Sequence, residues 1–400
     1  MDAKLSYTEV NMSKMIRKTI VCVVIAVISI MACAVGFAAC NKKEVQGEIT
    51  ITDMIGRQIQ ITPGSYKRVV CIGAGALRMY SYIGDLSLLV AIEDIDNTTR
   101  QGRPAMFDGA ARPYQLANKE LFDSIQLSCG IGGPQHQQVS DYDENLILCD
   151  ADIIISELED VAKAEAIEQK VGVPVVTVKY GNGVFDENVK NSFTMLGKVF
   201  GKEAKAAALN AFIAEQTAMI SERTANVAEA DKKTVYICGL GQWGRTNHLF
   251  TAQNYAPFNV AHVKNAVTDL AQNGIQQIEA EKFENLAQHI DIFIFDGAAT
   301  DNIRTAYAND AFANVKAFAD GEVYIEMAYN AYYTNLEIAL INTWWIAKVA
   351  YPELFEDINM TDKTNEVTRA FLGKDLATEI FACPLSAGGY QKIDIATFFA

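Results

Sequence analysis

From Ile49 to Pro63 apolar and polar residues alternate, Ile-Thr-Ile-Thr-Asp-Met-Ile-Gly-Arg-Gln-Ile-Gln-Ile-Thr-Pro. Alternation of period two, interrupted at Ile55-Gly56-Arg57, predicts a β-hairpin. Next comes a short apolar run, Lys67-Arg-Val-Val-Cys-Ile72, closed by Gly73-Ala-Gly75 and followed by a helix-like stretch over 76–83. The same rhythm repeats downstream: strands over 89–92, 151–156 and 174–178, helices over 143–148 and 162–171. Strands alternating with helices predict an α/β unit with a largely parallel sheet.

The rhythm then changes. Over 187–227 there is neither a proline nor a strand pattern, and Phe193, Leu196, Val199 and Phe200 recur at helical spacing. Gly201 is the one break, so the stretch predicts a long helix or two abutting ones. A second alternation follows, with strands over 234–238, 291–295 and 323–325 and helices over 275–289, 335–351 and 365–371. The expected architecture is α/β: two lobes with largely parallel sheets, 49–186 and 231–400, joined by a long rigid helix within 187–230, with a ligand cleft between the lobes.

The N-terminus has a different pattern. Arg17 and Lys18 precede an uncharged apolar run over 19–39, which ends Phe37-Ala38-Ala39-Cys40. Cations, a greasy core and small residues before a cysteine are the parts of an export signal. A cysteine directly after the small residues resembles the lipobox of bacterial lipoproteins, although Phe37 stands where Leu is usual. By that resemblance 1–39 is a signal peptide, Cys40 is the lipidated residue, and 40–48 is a tether to the cell membrane, facing the periplasm or the exterior. An apolar run of this length also suits a membrane anchor. Either way the rest of the chain lies outside the cytoplasm.

Composition narrows the function. The 400 residues are 50% hydrophobic and carry a net charge of −15. Such a surface repels phosphate backbones, so no nucleic-acid partner is expected. Cys71, Cys129, Cys149, Cys238 and Cys383 lie beyond Cys40, and no CxxC occurs, which excludes a zinc ribbon or thioredoxin-type centre. Cys71, Cys149 and Cys238 read as small buried hydrophobes, and Cys129 with Cys383 is a conceivable disulfide. The four histidines, His136, His248, His262 and His289, are scattered without HxH or HxxxH spacing, so no protein-held metal and no cofactor is expected. Neither GxSxG nor HExxH occurs, and no catalytic residue stands out.

Several segments together resemble the class III substrate-binding proteins of ABC importers, the family that binds iron–siderophores, haem and vitamin B12. Asp53-Met-Ile-Gly-Arg57 leading to Lys67-Arg-Val-Val70 matches the usual start of that family. Leu146-Ile-Leu-Cys-Asp-Ala-Asp-Ile-Ile-Ile155 matches a second family segment, with Asp150 and Ala151 in place of its Lys and Pro, and Asp291-Ile-Phe-Ile is the copy in the second lobe. The resemblance implies a monomeric solute-binding lipoprotein that captures an iron chelate or a corrinoid and passes it to an ABC permease with its ATPase subunits. The chelatase-like enzymes, a related fold, are the alternative. The family also docks through one acid per lobe. Glu144 holds that spacing before Asp152; the equivalent position before Asp291 is Phe283, so Glu281 or Glu284 must serve, and Glu284 is preferred.

The loops after strands gain meaning in that setting, because ligands of open α/β sheets bind beyond the carboxyl ends of strands. Gly239-Leu-Gly-Gln-Trp-Gly244 fits GxGxxG literally, but a poor helix follows and the next acid is Asp269, so a dinucleotide site is not expected. As cleft loops, Gly73–Arg78 and Gly239–Arg245 should face each other. Gly75 allows close backbone approach, Arg78 and Arg245 suit carboxylates or phosphates, and Trp243 offers a flat face; each arginine serves equally well in an interlobe ion pair. Tyr329, Asn330, Tyr332 and Tyr333 form a dense aromatic patch that suits a large amphipathic ligand or packing on the next helix. His136, in Gly132-Gly-Pro-Gln-His, is a further candidate ligand residue.

Overall fold

The computed structural model describes residues 47–133, 136, 142–181, 183–240, 246–271 and 274–400. The signal, Cys40, Trp243 and Arg245 lie outside the described residues. In the opening hairpin β1 (Ile49–Thr52) pairs antiparallel with β2 (Gln58–Ile61), Ile49 opposite Ile61. Ile51, Ile59 and Ile61 are buried while the intervening Thr and Gln side chains face out, as period two requires. The Asp-x-x-Gly-Arg motif proves to be a staple. Asp53 accepts from the N–H groups of Ile55 and Arg57 at 3.2 and 2.9 Å. The Arg57 guanidinium closes on Asp53 at 2.7 Å and reaches Glu168 at 3.1 Å and the carbonyl of Val175, pinning the hairpin to the edge of the first sheet.

That sheet is wholly parallel. β3 (Val69–Ile72), β4 (Leu89–Glu93), β5 (Leu127–Gly130), β6 (Ile153–Ser156) and β7 (Val175–Thr177) run in the order β5-β4-β3-β6-β7. β3, β6 and β7 are buried along their whole length, which is why the sequence shows apolar runs there instead of alternation. The order reverses between β3 and β6, a topological switch point. The second sheet contains β8 (Thr234–Cys238), β10 (Lys264–Asn265), β12 (Ile292–Asp296), β13 (Val323–Glu326) and β14 (Gln391–Lys392) in the order β10-β8-β12-β13-β14; only β14 is antiparallel. A small antiparallel pair, β9 (Phe250–Ala252) with β11 (Ile275–Gln277), lies beside it. Residues 275–277, expected to begin a helix, are therefore strand, and the helix starts only at Ala280.

One acid recurs at the base of each sheet. Asp152, just before β6, accepts from the N–H groups of Lys67 and Arg68 at 2.6 and 3.0 Å. Asp291, just before β12, accepts from Thr234 N–H at 2.9 Å. Each ties the start of its lobe's opening strand to the neighbouring strand, so the two matched sequence segments do the same structural work.

The connector is two helices. Glu187–Phe200 ends at Gly201, whose φ of 61° stops it. Glu203–Thr224 then doubles back: Asn210 donates to Lys190 O and Thr194 Oγ1 at 3.2 and 3.3 Å. A Cβ at Gly197 would lie 2.8 Å from Ala206 Cβ, so glycine is what lets the two helices approach. The second, 22-residue helix packs on the first and on the helix Ala256–Val260 beyond β9, and so bridges the two lobes.

Residues beyond 335 do not keep to one lobe. The helix Leu336–Ala350 is buried on nearly all sides. Its Trp344 indole donates to Gln216 of the bridging helix at 2.9 Å. The helix Met360–Leu372 returns to the first lobe, where the Phe371 ring meets Tyr82 edge-on at 5.0 Å. The boundary expected at 231 is thus crossed by the C-terminal chain, and one hydrophobic core runs through both lobes. All five described cysteines are free, so Cys129 and Cys383 do not pair. Among the described residues no helix is long and apolar enough to cross a membrane.

Candidate functional site

The carboxyl ends of the two sheets meet around residues 329–335. Tyr332 and Tyr333 there take φ of 56° and 75°, a left-handed backbone that bulky residues adopt at a cost of about 1–3 kcal/mol each. Three contacts hold the segment to the first lobe. Tyr332 donates to Glu93, at the end of β4, at 2.7 Å. The Tyr333 ring lies 4.4 Å from that of Tyr180, beyond the end of β7. Arg78 donates to the carbonyls of Ala331 and Tyr332 at 2.6 and 3.0 Å and to the Asn335 side chain at 3.0 Å. On the other side Asn330 donates to Leu240 O, beyond the end of β8, at 3.1 Å, and Tyr329 N–H donates to Asp296, at the end of β12, at 2.7 Å.

This geometry changes the expected roles. Arg78 is fully buried, and its guanidinium also lies 4.8 Å from the face of Tyr114. It is a strut from the first lobe to residues 331–335 through carbonyls and an amide, which is neither the expected ligand grip nor the expected ion pair. Gly75 has φ of 82°, and Tyr180 donates to its carbonyl at 2.9 Å; a Cβ there would strike the Tyr180 ring, so glycine is needed to seat that ring. Tyr329, Asn330 and Tyr332 are buried in this segment, and Tyr333 is half-buried. His136 is half-buried, its N–H on Gly133 O at 3.1 Å. Glu144 and Glu284 are exposed, on the helices that precede β6 and β12.

Sequence reasoning missed the acids. Glu93, Glu157, Asp296 and Glu326 stand at or just past the carboxyl ends of β4, β6, β12 and β13. The signal was there: each closes an apolar run, the position where cleft chemistry sits. Burial pushes Glu93 up to about 7, against the donors Tyr332, Gly73 N–H and Tyr142 that pull it down. Burial likewise pushes Asp296 up to about 7 against two backbone donors. Glu326 is pushed well up by burial and then by Asp296, and Tyr255 donates to it at 3.0 Å. Asp96 is paired with Arg112 at 2.7 Å, and Glu159 with Lys179 at 2.8 Å. Among the described residues no three His, Cys, Asp or Glu side chains converge as a metal site.

Comparison with known proteins places this geometry. A family model described as periplasmic binding protein matches residues 123–327. No curated protein sequence matches the chain. Among solved structures, a periplasmic solute-binding protein of Veillonella parvula is similar at 17% identity and TM-score 0.63, covering 84% of this chain and 96% of that one. The molybdate periplasmic binding protein MolA of Haemophilus influenzae is similar at 16% identity and TM-score 0.62, covering 82% and 98%. The petrobactin-binding protein YclQ of Bacillus subtilis is similar at 16% identity and TM-score 0.52, covering 77% and 99%.

Proposed function

The chain belongs to the periplasmic binding protein family, the solute-binding components of ABC importers, and we propose that its solute is a metal chelate: an iron–siderophore, haem or a corrinoid. Binding proteins of transporters, not enzymes, make up this family, so capture without turnover is the activity. The observation that carries the chelate reading is the ring of tyrosines where the two sheets meet. Tyr180 and Tyr333 pack at 4.4 Å, Tyr255 and Tyr329 at 5.3 Å, and Tyr332 donates to Glu93 at 2.7 Å. Ring faces with hydroxyl edges suit a bulky amphipathic ligand. Of the similar solved proteins, one binds molybdate and another petrobactin, so a related fold serves different solutes.

In this reading Cys40 carries a lipid that tethers a monomer to the cell membrane, and Glu144 and Glu284 meet basic residues of the permease. Both glutamates lie on exposed helix surfaces, free to do so. Native mass spectrometry and absorption spectra of protein purified from its own host test the proposal. The expected result is a stoichiometric bound species containing a metal and an organic chelator. A bound solute without metal overturns it.

A further inference from the structure

Glu93, at the end of β4, is buried, and its two carboxylate oxygens serve different parts of the chain. Oε1 accepts from Gly73 N–H at 2.9 Å and from the Tyr142 hydroxyl at 2.8 Å. Oε2 accepts from the Tyr332 hydroxyl at 2.7 Å. Tyr332 belongs to the segment where the carboxyl ends of the sheets meet, and its neighbour Tyr333 is half-buried there. Tyr142 stands directly before the helix Asp143–Cys149, which carries the exposed Glu144. The Tyr142 side chain does not cap this helix. Its carbonyl accepts from Leu146 N–H at 2.9 Å, the first helical bond, while its hydroxyl is fixed on Glu93. Gly132, with φ of 74°, closes over the carboxylate: a Cβ there would fall 3.1 Å from Oε2 and 2.8 Å from Ile95. Tyr142 and Tyr332 are both buried, so one enclosed carboxylate ties the cleft segment to the start of the helix that bears Glu144.

We propose that Glu93 is a relay that couples the cleft segment 329–335 to the helix Asp143–Cys149, so that a solute that moves Tyr332 alters the face presented to the permease. The inference rests on the reading of Glu144 as the docking acid of the first lobe and adds how the ligand site reaches it. Moving Tyr332 strips Oε2 of its donor. A buried acceptor without a donor is costly, and a carboxylate out of water more so. Glu93 therefore turns to recover a partner, and the Tyr142 hydroxyl that shares it follows. Because Tyr142 supplies the first helical carbonyl, its shift passes into the turn that bears Glu144. The cleft end has a reason to move: Tyr332 and Tyr333 hold left-handed backbone, with φ of 56° and 75°, a strained state for side chains of this bulk. A solute pressing on Tyr333 lets that strain relax, and loaded and empty protein then present Glu144 differently.

The test is amide hydrogen exchange, read by peptide mass spectrometry, in the purified protein and its variants. Tyr332→Phe and Tyr142→Phe each remove one hydroxyl from Glu93. Tyr236→Phe, which removes a buried hydroxyl from His248 O in the second lobe, is the control. Exchange over 146–149 is expected to be about tenfold faster in Tyr332→Phe, with 153–156 and 175–177 in the neighbouring strands unchanged. Coupling is reciprocal, so Tyr142→Phe should raise exchange over 331–335, and either variant tests the relay should the other not fold. The double variant should exchange no faster over 146–149 than the faster single variant, because both substitutions act through one carboxylate. Tyr236→Phe should change neither segment. An unchanged helix in Tyr332→Phe, an unchanged 331–335 in Tyr142→Phe, additive effects in the double variant, or a rise shared equally by 153–156 and 175–177 overturns the relay. Each of these leaves docking through Glu144 intact, since Glu144→Arg tests that reading by uptake alone.

Discussion

Asp53 and Arg57 form a buried ion pair at 2.7 Å, both side chains less than a tenth exposed, and through it a family sequence motif becomes a tertiary clamp. Removing one partner strands a buried charge, which costs about 3–5 kcal/mol. Asp53→Ala should therefore lower stability by about that much in urea unfolding. Ligand affinity should stay within about twofold, because the clamp lies on the β7 edge, among Glu168, Val175 and Thr177. A large loss of affinity at unchanged stability would contradict the staple role.

Arg78→Met tests the interlobe strut. The carbonyls of Ala331 and Tyr332 and the Asn335 side chain lose their donor, and each unsatisfied buried acceptor costs about 1–3 kcal/mol. Unfolding free energy should fall by about 3 kcal/mol or more, with amide hydrogen exchange rising first at 331–335. If Arg78 instead gripped an anionic ligand, stability would barely change and affinity alone would drop.

Glu93 makes stability depend on pH. Its folded value of about 7 lies above the value near 4.3 of a free glutamate. Between these values the unfolded chain has lost the proton and the folded chain keeps it. The contribution is thus complete below about pH 4 and is lost as pH rises through 7. Glu93→Gln should flatten the decline in melting temperature between pH 5 and pH 8. Asp296, also near 7, should leave a residual slope of the same sign. A slope unchanged in Glu93→Gln would show that Glu93 does not titrate there.

Glu144→Arg should abolish uptake in cells while ligand affinity stays unchanged. Glu144 is exposed on the short helix Asp143–Cys149, so charge reversal there acts where a basic partner docks. Normal uptake by this variant would end the docking role.

Cys40→Ala should leave the protein either unprocessed or released from the membrane. Mass spectrometry of the wild-type protein should find the mature N-terminus at a diacylglyceryl-modified Cys40. A mature chain that begins elsewhere would exclude the lipid tether.

By itself the sequence determined what local periodicity controls. The hairpin at 49–61, the helix at 76–83 and the apolar runs that became β3, β6, β8 and β12 stand where alternation and turn residues put them. The two-lobe architecture followed because each lobe repeats one βα rhythm. The edge strand β5 was not legible: Leu127-Ser-Cys-Gly130 is four residues long and leaves Leu127 exposed, so it carries little apolar signal. Residues 275–277 read as helix because the helical stretch beyond them masks three strand residues whose strand partner among the described residues is the distant Phe250–Ala252. The site shows the division most clearly. Arginines and tyrosines are conspicuous in a sequence, but whether Arg78 faces a ligand or a row of carbonyls depends on where residues 331–335, more than 250 positions away, fold back. Likewise a glutamate after a strand looks like any other acid. Only the tertiary structure decides that Glu93 finds three donors and Glu157, among the described residues, none, because burial and partnership are properties of the packed chain, set by segments that no local window contains.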